Sequence, residues 1–448
     1  MTRGDRVTTP PTLAVALLFT ALCGVEGARA AAAPAGAPDQ APVSAQIQHT
    51  LDEYLARRGK AESISGVSLY VSLGDPGPGI EAFAGNNGRT DKAPINGDTL
   101  FQIGSNTKHF EAAVILKLEA DGKLNIDETL GRWLPEYPAW SGVTIRQLLN
   151  MTSPIPTYSD TVVIGAAMGK DLKHQFTKRE LIRSVYPRPD NQLPQPSGYF
   201  YSNTNNILAA LIIEKASGKS FKEWLEKEIF PQVGLYDSYY SEGLYPEKVL
   251  KRMPRGLFMN SECLDYQPKP CKESLLAPLI GPDVSRMNMS WAGAAGAIVS
   301  TTRDLAKWIR ALFAGRVIPQ KQLNEMMTVV SMKTGKEIAH ATEEDPHAFG
   351  LDVAQGYNKN LGGTYWFYQG TTLGFRVIFA YWPQYDLVLT VATNSQPPSG
   401  EDKFGEEVLG GTLHVLEKAG MIHQRPRSAY RTCPPTNPAE ACRLDAAS

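Results

Sequence analysis

Apolar positions along this chain change period twice, and the changes divide it. From Ser44 to Gly59, the residues Ile47, Leu51, Tyr54 and Leu55 recur at helical spacing and Gly59 ends the run, which predicts an amphipathic helix. Two runs of strand character follow, Gly66–Leu73 and Ile80–Gly85, with Gly74-Asp75-Pro76-Gly77 as turn chemistry between them; they predict a hairpin of an antiparallel sheet. A second helix is predicted from Ser105 to about Ala120, with Gly122 where a C-terminal cap belongs. From about Asp127 to Ser285 the clear periods are helical: Thr144–Met151, Lys178–Val185, Thr204–Ala216 and Phe221–Glu228. Strand character returns late. Gly293–Ser300 is small and apolar, and Tyr365–Tyr368, Phe375–Trp382 and Leu387–Thr393 are aromatic and β-branched, the last two joined by a turn at Gln384-Tyr385-Asp386. A final helix is predicted over Phe404–Lys418. Strands at both ends and helices between them predict an α/β (α+β) fold: an antiparallel sheet flanked by helices, closed by the two chain ends, with a mainly helical lobe inserted.

The two termini carry a different composition. Arg3 and Arg6 precede an apolar core from about Leu13 to Val25, and Ala28-Arg29-Ala30 supplies a small-x-small cleavage pattern. Residues 1–30 therefore read as a secretory signal, with an uncleaved anchor as the alternative. Residues 31–43 read as a linker rich in Ala and Pro, 44–425 as one large domain, and 426–448 as a tail. No other stretch is apolar for long enough to span a bilayer, so the expectation is a secreted or periplasmic protein without a stable membrane span after signal cleavage. Besides Cys23, the cysteines fall as two close pairs, Cys263 with Cys271 and Cys433 with Cys442; in an exported protein the simplest reading is two local disulfides, although other pairings are open. With 45 Lys and Arg against 46 Asp and Glu there is no basic excess to recommend a nucleic-acid partner.

Chemistry enters at Ser105-Asn106-Thr107-Lys108. Three residues along a helix is nearly one turn, so Ser105 and Lys108 share a face. A lysine there can take the serine proton when it is itself deprotonated, giving an activated nucleophile without histidine. Alone, the tetrapeptide also fits an N-capping serine and a solvated lysine. Two further elements add weight. Tyr201-Ser202-Asn203 puts a phenol and an amide two residues apart, the phenol able to relay a proton and Asn203 able to hold a substrate amide or the lysine. Tyr368-Gln369-Gly370-Thr371 lies on a predicted strand, whose edge can offer a backbone N–H to an oxyanion and pair with an extended substrate, with Gly370 allowing close approach.

These landmarks resemble the family of class C β-lactamases, serine D-Ala-D-Ala carboxypeptidases and related esterases, also called penicillin-binding-protein-like serine hydrolases. The resemblance runs from about Ser44 to Lys418. It is carried by Phe101–Lys108, Gly122–Pro135, Thr144–Leu149 with Thr152-Ser153, Tyr201–Asn205, Ala295-Gly296 with Ser300-Thr301 and Asp304-Leu305, and Gly374-Phe375. It implies a Ser105 acyl-enzyme on an amide or ester, most like a D-Ala-D-Ala carboxypeptidase or β-lactamase-related peptidase. Lys108 and Tyr201 would move protons, and the N–H groups of Ser105 and Thr371 would form the oxyanion hole. It implies no metal and no organic cofactor, and a small-molecule or peptide substrate such as a cell-wall peptide or β-lactam.

Two departures stand out. The family usually places Lys-Thr-Gly or His-x-Gly on the active-site strand, where this chain has Tyr368; a neutral phenol holds a substrate carboxylate less well, which points to another amide or ester. Pro154 stands where a glycine commonly follows Thr-Ser. Arg376, just beyond the strand, is a candidate to replace the lost charge, whereas Lys333-Thr334-Gly335 reads as a decoy placed at a helix end and a turn. Other classes find less support. The chain has no G-x-S-x-G elbow and no H-E-x-x-H, and His109 on the Lys108 helix should point away from Ser105. A non-catalytic binder of penicillins or cell-wall peptides is the remaining alternative, as is an esterase of the same family.

Overall fold

A computed structural model describes residues 43–74 and 79–422. The expected signal, most of the linker, Asp75-Pro76-Gly77 and the tail with Cys433 and Cys442 lie outside the described residues.

The first helix, α1 (Val43–Arg58), begins on the last residue assigned to the linker, and Ile47, Leu51 and Tyr54 of its apolar stripe are buried as the spacing predicts. The predicted hairpin forms as β1 (Gly66–Leu73) and β2 (Ile80–Gly85), register Gly66 opposite Gly85. Seven further strands complete one antiparallel sheet: β3 (Val329–Ser331), β4 (Glu337–Ile338), β5 (His347–Phe349), β6 (Ala354–Asn358), β7 (Gly363–Thr371), β8 (Arg376–Trp382) and β9 (Leu387–Thr393). Their order is β2-β1-β9-β8-β7-β6-β5-β3-β4, a nine-stranded sheet in which the two ends of the domain meet where β1 pairs β9.

Both faces of the sheet are covered. On β8, Phe379 packs its ring 5.4 Å from His109 of α2 (Lys108–Ala120), while Ile378, one residue away and so on the opposite face, lies against Gly405 of α5 (Phe404–Lys418). Helix α5 packs on α1 and β9, and α4 (Thr302–Phe313) covers β1 and β9 from the other side. The segment between β2 and α4 forms the helical lobe, built around α2 and α3 (Asn203–Ser217). Thr144, Thr177 and Ser220 each start a short helix with a reciprocal capping box, closing backbone N–H groups that the helices leave open.

Two readings need correction. Only Ile298–Ser300 of the small apolar run is strand, and it joins Phe101–Gln102 and Tyr239–Tyr240 in a separate three-stranded sheet. The residues before it, Gly293–Ala295, form a 3-10 turn; their burial comes from packing beneath the Ser105 turn, not from pleating. Lys333-Thr334-Gly335 is the turn between β3 and β4 rather than a helix end, and Lys333 there bonds the Glu344 carbonyl and stands 3.8 Å from Asp345. Cys263 and Cys271 stand at disulfide spacing, Cα atoms 6.4 Å apart.

Candidate active site

Ser105 lies in a tight 3-10 turn, Gly104–Thr107, that runs directly into α2. Of residues 101–110 it alone is not buried: Ser105 is half-buried while its neighbours on both sides are hidden. The turn is possible because Gly104 has φ +52°, a left-handed conformation that a side chain disfavours, and because a Cβ there would stand 2.7 Å from the Thr371 nitrogen. Asn106 pins the turn from below, its amide donating to the carbonyls of Ile103 and Val377 at 2.9 Å each. Ile298 adds two more ties, one from its N–H to the Thr107 hydroxyl and one from its carbonyl to the Ile103 N–H.

The three residues singled out from sequence converge. Lys108 Nζ stands 3.1 Å from Ser105 Oγ, 2.9 Å from Asn203 Oδ1 and 2.6 Å from the Ala295 carbonyl. Tyr201 Oη stands 2.7 Å from the same Ser105 Oγ, and the lysine nitrogen lies 5.0 Å from the tyrosine ring centre. As an ammonium, Nζ has three hydrogens for three acceptors. As an amine it keeps two, for Asn203 and Ala295, and turns its lone pair toward Ser105. Either form fits without moving a side chain, which suits a group that accepts and returns a proton. Asn203 thus holds Lys108, and its own amide donates to Ser159 at 3.1 Å.

The strand edge forms the other wall. β6 pairs with β7 only as far as Phe367, so β7 from Tyr368 onward turns its edge toward the serine turn. Gly370 makes that approach possible: a Cβ on it would lie 1.9 Å from the Ile103 carbonyl and 2.8 Å from the Ser105 nitrogen. Tyr368 is buried, with Oη 3.4 Å from Tyr201 Oη, and burial holds its phenol well above the usual tyrosine range, so it is neutral. Arg376 does not replace the missing cation. It leaves β8 on the opposite face, stacks 4.8 Å from the Phe404 ring, and donates to Glu62 at 3.0 Å and Asp402 at 2.5 Å. His109 is structural: Trp308 donates to its Nδ1 at 2.8 Å, and burial, with Lys108 alongside, depresses its pKa to about 3.

Sequence reasoning missed a second polar layer one helical turn below. Glu111 follows Lys108 by three residues on α2 as Asn206 follows Asn203 on α3. The Asn206 amide donates to Glu111 at 2.8 Å and to Asp352 at 2.9 Å, all three buried. The shared spacing was visible; Asp352, arriving from the loop before β6, was not. Burial first, then mutual repulsion, pushes the Glu111 carboxyl well above its usual range, and burial does the same to Asp352. An acid so raised keeps its proton when folded but loses it when unfolded, so it subtracts stability progressively as pH rises above the unfolded pKa of about 4.3. Glu111→Gln removes that loss. Its melting temperature relative to the unmodified protein is expected to be higher at pH 8 than at pH 5; an equal difference at both pH values would contradict the assignment.

Against this geometry, comparison with known proteins is direct. The β-lactamase family model matches residues 51–411. The chain belongs to the β-lactamase family. Members of this family are serine hydrolases, among them amidases, esterases, β-lactamases and penicillin-binding proteins. A penicillin-binding protein of Bacillus subtilis (strain 168) is 36% identical over 166 residues, 36% of this chain and 35% of that protein. Esterase EstB of Burkholderia gladioli is 28% identical over 214 residues, 44% of this chain and 52% of the esterase. These matches therefore span well under two thirds of the curated relatives' length. A solved structure of D-amino acid amidase from Ochrobactrum anthropi, complexed with D-phenylalanine, superposes with TM-score 0.68 at 26% identity, covering 84% of this chain and 99% of the amidase. In this β-lactamase-family protein no helix among the described residues is long and apolar enough to cross a membrane.

Proposed function

We propose that the protein is an exported hydrolase that cleaves an amide or ester through an acyl-enzyme on Ser105. The observation that carries the reading is the convergence of Lys108 Nζ and Tyr201 Oη on one half-buried hydroxyl, at 3.1 and 2.7 Å. Ser105 Oγ attacks the carbonyl carbon as its proton passes to the Lys108–Tyr201 pair, and the N–H groups of Ser105 and Thr371 receive the oxyanion. Tyr201 then delivers a proton to the leaving atom, the bond breaks, and water repeats the sequence on the acyl ester to free Ser105. No metal or organic cofactor has a role in these steps. Export is supported by the basic, apolar and small-residue sequence of the first 30 positions and by Cys263 and Cys271 at disulfide spacing.

A D,D-carboxypeptidase would need a cation for the terminal carboxylate of its substrate. Tyr368 occupies that position as a neutral phenol and Arg376 is engaged by Glu62 and Asp402, so both argue for an ester or amide without that carboxylate. The protein is expected to hydrolyse p-nitrophenyl acetate well above the rate in buffer. Equal rates with and without protein would overturn the reading in favour of a non-catalytic binder.

A further inference from the structure

Lys108 and Asn203 form one rung between α2 and α3, and Glu111 and Asn206, each three residues further on, form the next. On a helix that offset is nearly a full turn, so Glu111 shares the face of α2 that carries Lys108. Asp352 closes the second rung from the sheet side. Its φ of +56° is a left-handed conformation that a side chain disfavours, and its N–H donates to the Leu149 carbonyl at 2.8 Å. The strained backbone at that one residue brings a second carboxyl onto the Asn206 amide. Lys108, Glu111, Asn206 and Asp352 are all fully buried.

Asn206 gives one amide hydrogen to each acid, and Glu111 Oε1, Asp352 Oδ1 and Asn206 Oδ1 have no hydrogen-bond partner among the described residues. Two bare carboxylates in such a place repel each other. Two neutral acids leave a buried Lys108 ammonium without a counter-charge, since its three partners, Ser105, Asn203 and the Ala295 carbonyl, are uncharged. One proton between the two carboxyls meets both demands. Glu111 keeps it: charge on Asp352 adds to the burial that holds the Glu111 proton, while Lys108 and the Asn206 amide favour the Asp352 anion over what burial alone would allow. The other titratable groups around the layer do not change charge near neutrality. Burial holds the phenols of Tyr158, Tyr199, Tyr240 and Tyr368 above their usual range, and His109 is neutral. Lys178 is ion-paired with Glu214 and Glu242 at 3.1 and 2.9 Å, and Tyr201 faces Lys108 with its ring centre at 5.0 Å.

Taking Lys108 as the group that accepts the Ser105 proton, the reading above on which this rests, we propose that Glu111 and Asp352, joined by Asn206, share one proton and hold a single negative charge beneath Lys108. They act as positioning residues for charge: they touch neither substrate nor Ser105, and they set the pH at which Lys108 becomes an amine. An anion one helical turn away favours the ammonium, so Lys108 gives up its proton at a higher pH than it would above a neutral layer. When Ser105 attacks and its proton reaches Lys108, the ammonium forms over a charge already in place.

Glu111→Gln, Asp352→Asn and the double variant keep the shape of the layer and remove its carboxyls singly and together. The measurement is the pH dependence of kcat/KM for p-nitrophenyl acetate, whose acid limb reports the base of the free enzyme. Each single variant retains one carboxyl to carry the charge, and its limb is expected to stay within about half a pH unit of the unmodified protein's. In the double variant the limb is expected to move about one unit to lower pH, so that one unit below the unmodified midpoint it keeps about half of its plateau rate, against about a tenth for the unmodified protein. A rate lowered equally at every pH in the double variant, or a limb moved as far by either single variant, would overturn the shared charge. Infrared difference spectroscopy tests the same charge without turnover and without the double variant. With the ammonium gone in Lys108→Met, the anion beneath it is expected to take up a proton, adding one protonated-carboxyl C=O band at neutral pH that Asp352→Asn in the same background removes. No added band would overturn the proposal. Absence of ester turnover in the unmodified protein would overturn the Ser105 reading, and the infrared result still decides the charge of the layer.

Discussion

Lys108→Met is expected to lower kcat/KM for every ester or amide substrate by about 10³–10⁴-fold while the protein stays folded. Methionine keeps the unbranched shape inside a fully buried site but cannot take or return a proton. The Asn203 side-chain oxygen and the Ala295 carbonyl each lose a donor, a cost in stability of about 1–3 kcal/mol apiece. The effect on rate has no compensation, because Tyr201 alone then faces Ser105. Stopped assays on folded protein, judged by circular dichroism, check this. A loss under tenfold would mean that Lys108 only positions Asn203 and Ala295.

Gly370→Ala is the second large effect, and it acts through space rather than charge. The new methyl would stand 1.9 Å from the Ile103 carbonyl and 2.8 Å from the Ser105 nitrogen and the Asn106 amide, so the strand must retreat from the serine turn. Overpacking of this kind costs about 1–3 kcal/mol, and a displacement near 1 Å between reacting groups costs about 10²-fold in rate. The expected result is a kcat at least about 100-fold lower with a modest fall in melting temperature. Gly410→Ala is the control. It lies inside α5 with open space around the position, and is expected to leave kcat unchanged and to gain up to about 1 kcal/mol of stability. Unchanged kcat in Gly370→Ala would show that the strand edge is not held against the nucleophile.

The elements legible in the sequence are those whose signal is local. β1, β2, β9 and α5 follow the boundaries that alternation, turn residues and helical period set, because each buries a whole face or stripe of its own. The Ser105 turn, Tyr201 and Asn203 could be singled out because they carry polar groups at short spacing, and the structure brings them together. Strands β3–β6 were not: they run from two to five residues and take their stability from neighbours far along the chain. Gly293–Ala295 misled because small apolar residues serve equally in a strand and in a turn packed under Lys108. The direction of Arg376 depended on register. It pairs with Thr371, on the sheet face opposite Tyr368 and Gly370, so its guanidinium goes to Glu62, Asp402 and Phe404. Asp352 joins the buried layer beneath the site only through tertiary contact, which no spacing in the sequence encodes.

The central claim is that Ser105 is an activated nucleophile, and an alkyl fluorophosphonate tests it most directly, since attack by an activated serine leaves a stable phosphorus–oxygen bond. Intact-mass measurement after incubation is expected to show one phosphonyl group per protein, mapped to the peptide containing Ser105 and missing from Ser105→Ala. Labelling at another residue, or undiminished labelling of Ser105→Ala, would contradict the account.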